Sequence, residues 1–263
     1  MKIAFVGGGI MAEALIKRLV KDGTVTCDEV KVVDPSPARR ELLREQYRVG
    51  VEEEHSACLP GADVVILAIK PQEMETAACQ MDDIQKEQLL LSIMAGVKLE
   101  RLVTRFSHEL VVRAMPNTPS QIGMGMTVWT ATPQVSESHV AHARAILSAL
   151  GDELYVPDEK YVDMATALSG SGPAYVFLFV EALVEGAVAI GMPRPMAERL
   201  ALQTLRGSTE YLAQSGKHPA ELRNMVTSPG GTTAAALREF EKGSLRSVVL
   251  DAIAAAYTRS KEL

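Results

Sequence analysis

The sequence predicts an α/β protein with two domains. An N-terminal Rossmann-type dinucleotide-binding domain with a mainly parallel sheet, residues 1–156, is followed by an all-α domain, residues 157–263. Three observations carry this prediction. Short β-branched runs alternate with helical stretches in the first half, a glycine-rich turn follows the first of these runs, and strand-like alternation ends at Pro157, where the chain becomes rich in alanine. The 263-residue length suits two domains of ordinary size.

The strands and helices of the first domain are predicted, in order, from the hydrophobic pattern and from residues that end helices and strands. Asp63–Ile69 (DVVILAI) is apolar without interruption, which is typical of a strand buried on both faces of a parallel sheet. Gly23 follows the first helix as a C-terminal stop. The predicted strands are Lys2–Val6, Val30–Val33, Asp63–Ile69, Gln88–Met94, Glu109–Met115, Met126–Thr130 and, at the edge, Glu153–Val156. The predicted helices are Ile10–Lys21, Pro37–Tyr47, Gln72–Met81, Leu99–Phe106 and Ser136–Leu150.

The second half is predicted to be helical throughout. Gly191, Gly216 and Gly243 stand where helices should stop, and Pro195 stands in a first turn. The predicted helices cover residues 158–168, 173–190, 195–214, 219–226, 233–242 and 245–261. The stretch Ala174–Ile190 is apolar nearly all round and is long enough to suggest a membrane span. Because it carries Glu181 and Glu185 near its middle, a buried helix in a core or subunit interface is the preferred interpretation.

Composition and charge exclude several classes of protein. Lys and Arg total 27 against 33 Asp and Glu, a net charge of −6, and this acidic balance argues against nucleic-acid binding and against a polybasic membrane anchor. Three cysteines without a C-x-x-C pair give neither a disulfide framework nor a zinc signature. A cytoplasmic protein is therefore expected.

The first strand leads into Gly7-Gly8-Gly9-Ile10-Met11-Ala12, which fits the dinucleotide fingerprint G-x-G-x-x-A. In this pattern the first glycine makes a tight turn, the second lets a pyrophosphate approach the backbone, and the third small residue lets helix and strand pack closely. The N–H groups of the following helix then face the pyrophosphate. The predicted cofactor-binding residues of the turn are Val6, Gly7, Gly8, Gly9, Ile10, Met11 and Ala12.

The residues around Asp34, at the end of the second strand, do not decide between NAD(H) and NADP(H) as the cofactor. A carboxylate there accepts ribose hydroxyls and favours NAD(H), but Ser36, Arg39 and Arg40 bring groups that suit the 2′-phosphate of NADP(H). Asp34 capping the next helix is a further interpretation. We expect NADP(H) to be preferred, with NAD(H) as the alternative.

Four further motifs, in this order and spacing, give the whole chain a family resemblance. They are Ala68-Ile69-Lys70-Pro71, Met115-Pro116-Asn117-Thr118-Pro119, Ser169-Gly170-Ser171-Gly172-Pro173-Ala174-Tyr175 and Ser228-Pro229-Gly230-Gly231-Thr232-Thr233. Together they resemble pyrroline-5-carboxylate reductase. Ile10 departs from the polar residue that is more frequent there in the family. The resemblance implies reduction of L-1-pyrroline-5-carboxylate to L-proline by NAD(P)H, the last step of proline biosynthesis, and a helical domain that interlocks with a second subunit.

The resemblance also implies roles for individual residues. Matching the family's motifs places Ala68, Ile69, Lys70, Pro71 and Ala95 along the dinucleotide, His55 near its adenine and Asn117 near its nicotinamide. The alternatives are an exposed loop for His55 and a position in solvent for Lys70. Thr232 and Thr233 match positions that hold the substrate. The segment before Pro173 is predicted to be a turn that starts the long helix, a structural role, with Ser171 in the site as the minority alternative.

The chemistry of the substrate, a cyclic imine with a carboxylate, fits the segment from Ser228 to Thr233. Gly230 and Gly231 let N–H groups converge, and a helix that begins at about Thr233 places its positive end there. The predicted substrate-binding residues are Ser228, Gly230, Gly231, Thr232 and Thr233. Thr233 is the predicted catalytic residue, its hydroxyl orienting the ring nitrogen. The alternative for Ser228, Thr232 and Thr233 is helix capping alone.

Two other functions are alternatives to the imine reductase. A β-hydroxyacid dehydrogenase normally has a lysine on the long helix after the glycine-rich segment, and Ala174–Ile190 has none. A dinucleotide sensor without catalysis does not need the SPGGTT segment. No metal site is expected, because His139 and His142 are spaced for one helix face but lack a third ligand. The apolar helices predict self-association through the C-terminal domain.

Overall fold

The computed structural model describes residues 1–81 and 84–262, and within them eight strands form one sheet. The strands are β1 (Ile3–Val6), β2 (Val30–Val33), β3 (Gly50–Glu52), β4 (Val64–Leu67), β5 (Leu89–Ser92), β6 (Val111–Met115), β7 (Gly125–Ala131) and β8 (Gly151–Tyr155). They lie in the order β3-β2-β1-β4-β5-β6-β7-β8. Neighbours are parallel except β6 and β7, which are antiparallel. The predicted fold class, with its mainly parallel sheet, is confirmed.

Helices cover both faces of this sheet. They are α1 (Ile10–Lys21), α2 (Pro37–Tyr47), α3 (His55–Cys58), α4 (Met74–Ala78), α5 (Leu99–Phe106) and α6 (Glu137–Ser148). Side chains alternate along each strand, so Ile3 and Phe5 pack with Leu15 of α1 in one core, while Ala4 and Val6 join a second core with Leu102 of α5. Burial on both faces explains why the central strands are apolar throughout.

The remaining helices follow closely in sequence. They are α7 (Lys160–Ala165), α8 (Gly172–Ala189), α9 (Arg194–Ser215), α10 (Pro219–Met225), α11 (Thr232–Lys242) and α12 (Leu245–Ser260). By compactness the chain forms two units, Met1–Pro173 with the residues from Ala256 onward, and Ala174–Ala255. The predicted domain boundary lies at residue 156, whereas the compact units divide after Pro173. The predicted second domain ends at Leu263, which lies outside the described residues.

Two local predictions differ from the structure, and two short elements were not predicted. The predicted helix Gln72–Met81 is a 3₁₀ turn, Pro71–Glu73, followed by the short α4. The predicted turn before α8 is instead a π-helical turn, Thr166–Gly170, that continues α7 into α8. The predicted helix stop at Gly243 is confirmed, since Gly243 is the C-cap of α11, and the left-handed residue before α12 is Ser244, φ 55°. The strand β3 and the helix α3 were not predicted, because three and four residues are too short for a periodic signal.

The helical stretch Lys160–Ala189 is long and apolar enough to cross a membrane by length and composition. One such helix among the described residues is weak evidence for a membrane span, because helices buried inside soluble proteins can be equally long and apolar.

Candidate active site

The turn after β1 requires glycine at its first position. Gly7 has φ +92°, and a Cβ there would lie 2.8 Å from the carbonyl oxygen of Ala68 and from Cγ2 of Ile69. The Gly7 amide donates to the carbonyl of Val33 at 2.8 Å. The turn is therefore held against the carboxyl ends of β2 and β4, the neighbours of β1 in the sheet.

The third glycine leaves the start of α1 open. Gly9 is the N-cap of this helix and supplies no side-chain hydrogen bond to the first turn, and a Cβ built on it meets no atom within 4 Å. Its φ of −65° is accessible to any residue. Glycine at this position thus keeps space clear in front of helical N–H groups, which is the geometry that a pyrophosphate needs.

Asp34 joins the glycine turn to the loop after β2. Its Oδ2 accepts from the Gly8 amide at 2.7 Å, and its Oδ1 accepts from the Ser36 amide at 2.9 Å. The interpretation of Asp34 as a helix cap was wrong, because Ser36 is the N-cap of α2 and its Oγ accepts from the Arg39 amide at 3.4 Å. The carboxylate instead fixes two backbone amides at the corner where an adenosine ribose is expected.

Both arginines of this corner have carboxylate partners. Arg39 donates from Nε to the carbonyl of Gly8 and from Nη2 to the carbonyl of Gly9, at 3.2 Å, and forms an ion pair with Glu13. Arg40 donates to the carbonyl of Asp34 at 2.7 Å and to Glu53 Oε2 at 3.0 Å. The sequence predicted that the arginines lie at this corner but not which carboxylates they pair with, since Glu13 lies on α1 and Glu53 follows β3.

The other predicted cofactor residues follow strands of the same sheet. Lys70 is exposed, and Ala68, Ile69, Pro71 and Ala95 are half-buried after β4 and β5. His55 begins α3 after β3, and burial lowers the pKa of its half-buried imidazole. Since β1, β3, β4 and β5 run parallel, these residues share the carboxyl edge of the sheet with the glycine turn.

Asn117 follows β6 at this edge, and its amide is held at both ends. Nδ2 donates to the carbonyl of Ser169 at 3.0 Å, and Oδ1 accepts from the Met126 amide at 3.0 Å. Asn117 therefore links β7 to the π-helical turn. Ser171 donates to the carbonyl of Thr166 at 3.0 Å, in keeping with the predicted structural role of this segment.

The substrate-binding residues predicted from the sequence lie in the second unit, before and at the start of α11. Gly230 has φ +69°, and the Gly231 amide donates to the carbonyl of Ser228 at 3.1 Å. The helix begins at Thr232, one residue before the predicted start at about Thr233, with Gly231 as its N-cap. Gly231 has no side chain, so the N-cap residue supplies no side-chain hydrogen bond to the first amides of α11. Neither Ser228 nor Thr232 occupies the N-cap position, so the interpretation of either one as the N-cap residue was wrong. Thr232 is exposed and Thr233 is half-buried.

A buried ion-pair network was missed from the sequence. Arg113 on β6 is 2% exposed and donates from Nη1 to Glu159 Oε1 at 2.7 Å and from Nη2 to Asp163 Oδ1 at 2.6 Å. A charged residue in the apolar run ELVVRAM was the available signal, but no sequence rule identifies its partners. Among the described residues, no group of three His, Cys, Asp or Glu side chains is arranged to hold a metal ion.

Comparison with known proteins gives the family. A family model described as pyrroline-5-carboxylate reductase dimerisation matches residues 159–263, and one described as NADP oxidoreductase, coenzyme F420-dependent, matches residues 2–96. A pyrroline-5-carboxylate reductase of Synechocystis sp. is 41% identical over 263 residues, covering 100% of this chain and 98% of the relative. The chain belongs to the pyrroline-5-carboxylate reductase family. The Escherichia coli member is 35% identical, over 100% of this chain and 98% of its own.

Solved structures of the family share the fold. The pyrroline-5-carboxylate reductase of Coxiella burnetii superposes with a TM-score of 0.91 at 34% identity, covering 99% of this chain and 97% of that one. The Plasmodium falciparum enzyme, solved with NADP bound, gives 0.91 at 29% identity, over 100% and 97% of the two chains. The predicted family and the use of a nicotinamide dinucleotide by this kind of oxidoreductase are confirmed.

Proposed function

We propose that this chain reduces L-1-pyrroline-5-carboxylate to L-proline, the final step of proline biosynthesis, with a hydride from NAD(P)H. The full-length family match supports the reaction. The structural observation that carries it is the start of α11, where Gly230 and Gly231 leave helical amides open for the substrate's carboxylate. This site has no cationic side chain between Ser228 and Thr233.

The glycine turn fits the cofactor that this reaction needs. Gly7 and Gly9 supply the tight turn and the clear approach, and the uncapped start of α1 would hold the pyrophosphate. When bound, the reduced nicotinamide supplies the hydride. The remaining proposed contacts are Val6, Gly8, Ile10, Met11, Ala12, Asp34, Ser36, Arg39, His55, Ala68, Ile69, Lys70, Pro71, Ala95 and Asn117.

Preference for NADP(H) over NAD(H) is part of the proposal. The Ser36 hydroxyl, at the start of α2, and the Arg39 guanidinium are placed beside the Asp34 corner where the 2′-phosphate would lie. The relative rates with NADPH and NADH test this preference.

Thr233 is the proposed catalytic residue. Hydride adds to the carbon of the imine in its N-protonated form. The electron pair of the C=N π bond moves to the ring nitrogen, which keeps its proton and becomes the secondary amine of proline. The Thr233 hydroxyl would hydrogen-bond this nitrogen and orient the ring, while the amides at the start of α11, with Ser228 and Thr232, would hold the carboxylate. Catalysis on this account comes mainly from positioning two reactants, an effect that can supply several kcal/mol.

Replacing Thr233 separates this role from helix structure. T233A is expected to lower kcat with pyrroline-5-carboxylate by about 100-fold, the usual scale for losing one positioned polar group, while cofactor binding is retained. T233S, which keeps the hydroxyl, is the matched control and should retain most of the activity. Equal activity in T233A and the parent protein would remove Thr233 from the mechanism.

The match to a family dimerisation domain supports self-association, and we propose at least a dimer that associates through the helical domain. Large apolar side chains are exposed there, including Phe177 at 64%, Leu178 at 67% and Leu250 at 70%. Exposed apolar area on this scale marks an interface with another protein surface. A second copy, and neither nucleic acid nor a membrane, is the proposed partner. Light scattering that shows a monomer of 28.4 kDa at micromolar concentration would contradict this.

We place the protein in the cytoplasm.

A further inference from the structure

Arg39 lies across the glycine turn in a geometry that the dinucleotide fingerprint does not require. Its guanidinium bonds two successive carbonyls of the turn, those of Gly8 and Gly9, and is only 21% exposed. The same Gly8 donates its amide to Asp34 at 2.7 Å. Arg39 and Asp34 therefore both form a hydrogen bond with the backbone of Gly8. This residue lies at the corner that distinguishes the 2′-hydroxyl of NADH from the 2′-phosphate of NADPH.

Glu13, on the first turn of α1, is the counter-ion of Arg39. Its Oε2 accepts from Arg39 Nη2, and its Oε1 accepts from the Tyr47 hydroxyl at 2.9 Å, so both oxygens are held. Burial opposes ionisation, but the hydrogen bonds from Arg39 and Tyr47 outweigh it and lower the pKa of the Glu13 carboxyl. Glu13 is thus a fixed negative charge beside the cofactor's ribose corner at neutral pH.

The charges at this corner do not favour a phosphate as strongly as its two arginines suggest. Arg39 is paired with Glu13, and Arg40 with Glu53. Asp34 adds a third carboxylate, and this one receives amides instead of cations. A bound 2′-phosphate must share Arg39 with Glu13 and is repelled by the carboxylates of Glu13 and Asp34. A 2′-hydroxyl carries no charge and is not repelled in this way.

We propose that Glu13 is a specificity-determining residue, which acts through Arg39 to weaken the preference for NADPH over NADH. The inference rests on the proposed binding of the dinucleotide at the glycine turn. Removing the Glu13 charge releases the Arg39 guanidinium to the 2′-phosphate and removes a repulsion. Affinity for ligands that carry this phosphate should rise, and affinity for ligands that lack it should not.

Two nucleotide fragments isolate the effect without catalysis. Calorimetry with adenosine 2′,5′-bisphosphate and adenosine 5′-monophosphate measures the contribution of the 2′-phosphate in the parent protein, E13Q, R39Q and Y47F. In E13Q the ratio of the two affinities should rise about fivefold in favour of the bisphosphate, on the scale of one partly screened charge. In R39Q the ratio should fall. Y47F, which keeps the Glu13 charge and loses only its neutral partner, is the matched control and should leave the ratio within about twofold.

Salt dependence distinguishes a charge effect from a distorted turn. The gain in E13Q should shrink between low salt and about 0.5 M salt, because screening acts on charges and not on shape. An unchanged or lowered ratio in E13Q, or a gain that salt does not reduce, would overturn the proposal. Since neither fragment takes part in hydride transfer, these results are independent of whether pyrroline-5-carboxylate is the substrate.

Discussion

The guanidinium of Arg113 lies 2.6 Å from the carboxylate of Asp163, and this buried pair joins the middle of β6 to α7. Glu159, just before α7, accepts from the same guanidinium at 2.7 Å and also from the Leu99 amide at 2.7 Å. The pair thus attaches α7 to the sheet, and both belong to the unit that includes Met1–Pro173.

Removing the Arg113 guanidinium should therefore destabilise the protein strongly. R113M leaves Asp163 buried and Glu159 partly buried without their cation, and we expect a loss of about 3–5 kcal/mol in the free energy of unfolding. R44M is the matched control, because Arg44 forms an exposed ion pair with Glu41 that contributes about 0–1 kcal/mol. Urea unfolding of the two variants measures both values. A cost for R113M no larger than that for R44M would contradict the assignment.

Gly9 tests the cofactor site without disturbing the fold. G9V places its side chain in open space at an ordinary φ of −65°, so the melting temperature should change little. The same side chain would occupy the approach of the pyrophosphate, and affinity for NADPH should fall by at least about tenfold. Nicotinamide fluorescence measures this affinity. G7A offers the contrast, because its φ of +92° and its contact with the Ala68 carbonyl predict a loss of stability as well. Full NADPH affinity in G9V would disprove the proposed pyrophosphate position.

Gly230 and Gly216 form a matched pair for testing the substrate site. Both are left-handed, with φ +69° and +64°, and a Cβ on either meets no atom within 4 Å. G230A and G216A should therefore lose a similar amount of stability, about 1–2 kcal/mol. Only G230A should raise KM for pyrroline-5-carboxylate, because Gly216 ends α9 and Gly230 shapes the proposed carboxylate site. Equal KM values in the two variants would count against that site.

The phenol of Tyr47 reports on Glu13 directly. Burial, followed by the hydrogen bond to Glu13, raises the pKa of Tyr47 to about 12 from 10.0. A raised pKa means that the neutral phenol is favoured in the folded state, so its contribution to stability is complete below pH 10 and is lost as the pH rises towards 12. The phenolate absorbance of the parent protein minus that of Y47F should have its midpoint near 12. In E13Q the midpoint should move down but stay above 10, because burial remains. A midpoint that is the same in E13Q as in the parent protein would show that the Tyr47–Glu13 contact is absent.

Much of the sheet and of the glycine turn could be predicted because the signals are local. The bounds of α1, β2 and α2 were predicted to the residue, since each begins or ends at a capping or turn residue beside a clear apolar pattern. Gly7 could be identified because a tight turn after a strand needs its positive φ.

The contacts that set the charges of the site could not be predicted. Glu13 and Arg39 are 26 residues apart, and Arg113 and Asp163 are 50 apart, so their pairing is a property of the packed fold. Similarly, the role of Asp34 depended on which amides face it, and Ser36 competed for the position that caps α2. Sequence reasoning could name the charged residues but could not decide which charges remain available to a ligand.

The most direct test of the proposed function is the initial rate of NADPH and NADH oxidation by the purified protein with L-1-pyrroline-5-carboxylate. We expect rapid, substrate-dependent oxidation that forms L-proline and is faster with NADPH than with NADH. We expect little oxidation when a 3-oxo acid, the substrate of the β-hydroxyacid alternative, replaces the imine. The absence of substrate-dependent oxidation with either cofactor, in a protein that binds NADPH, would contradict it.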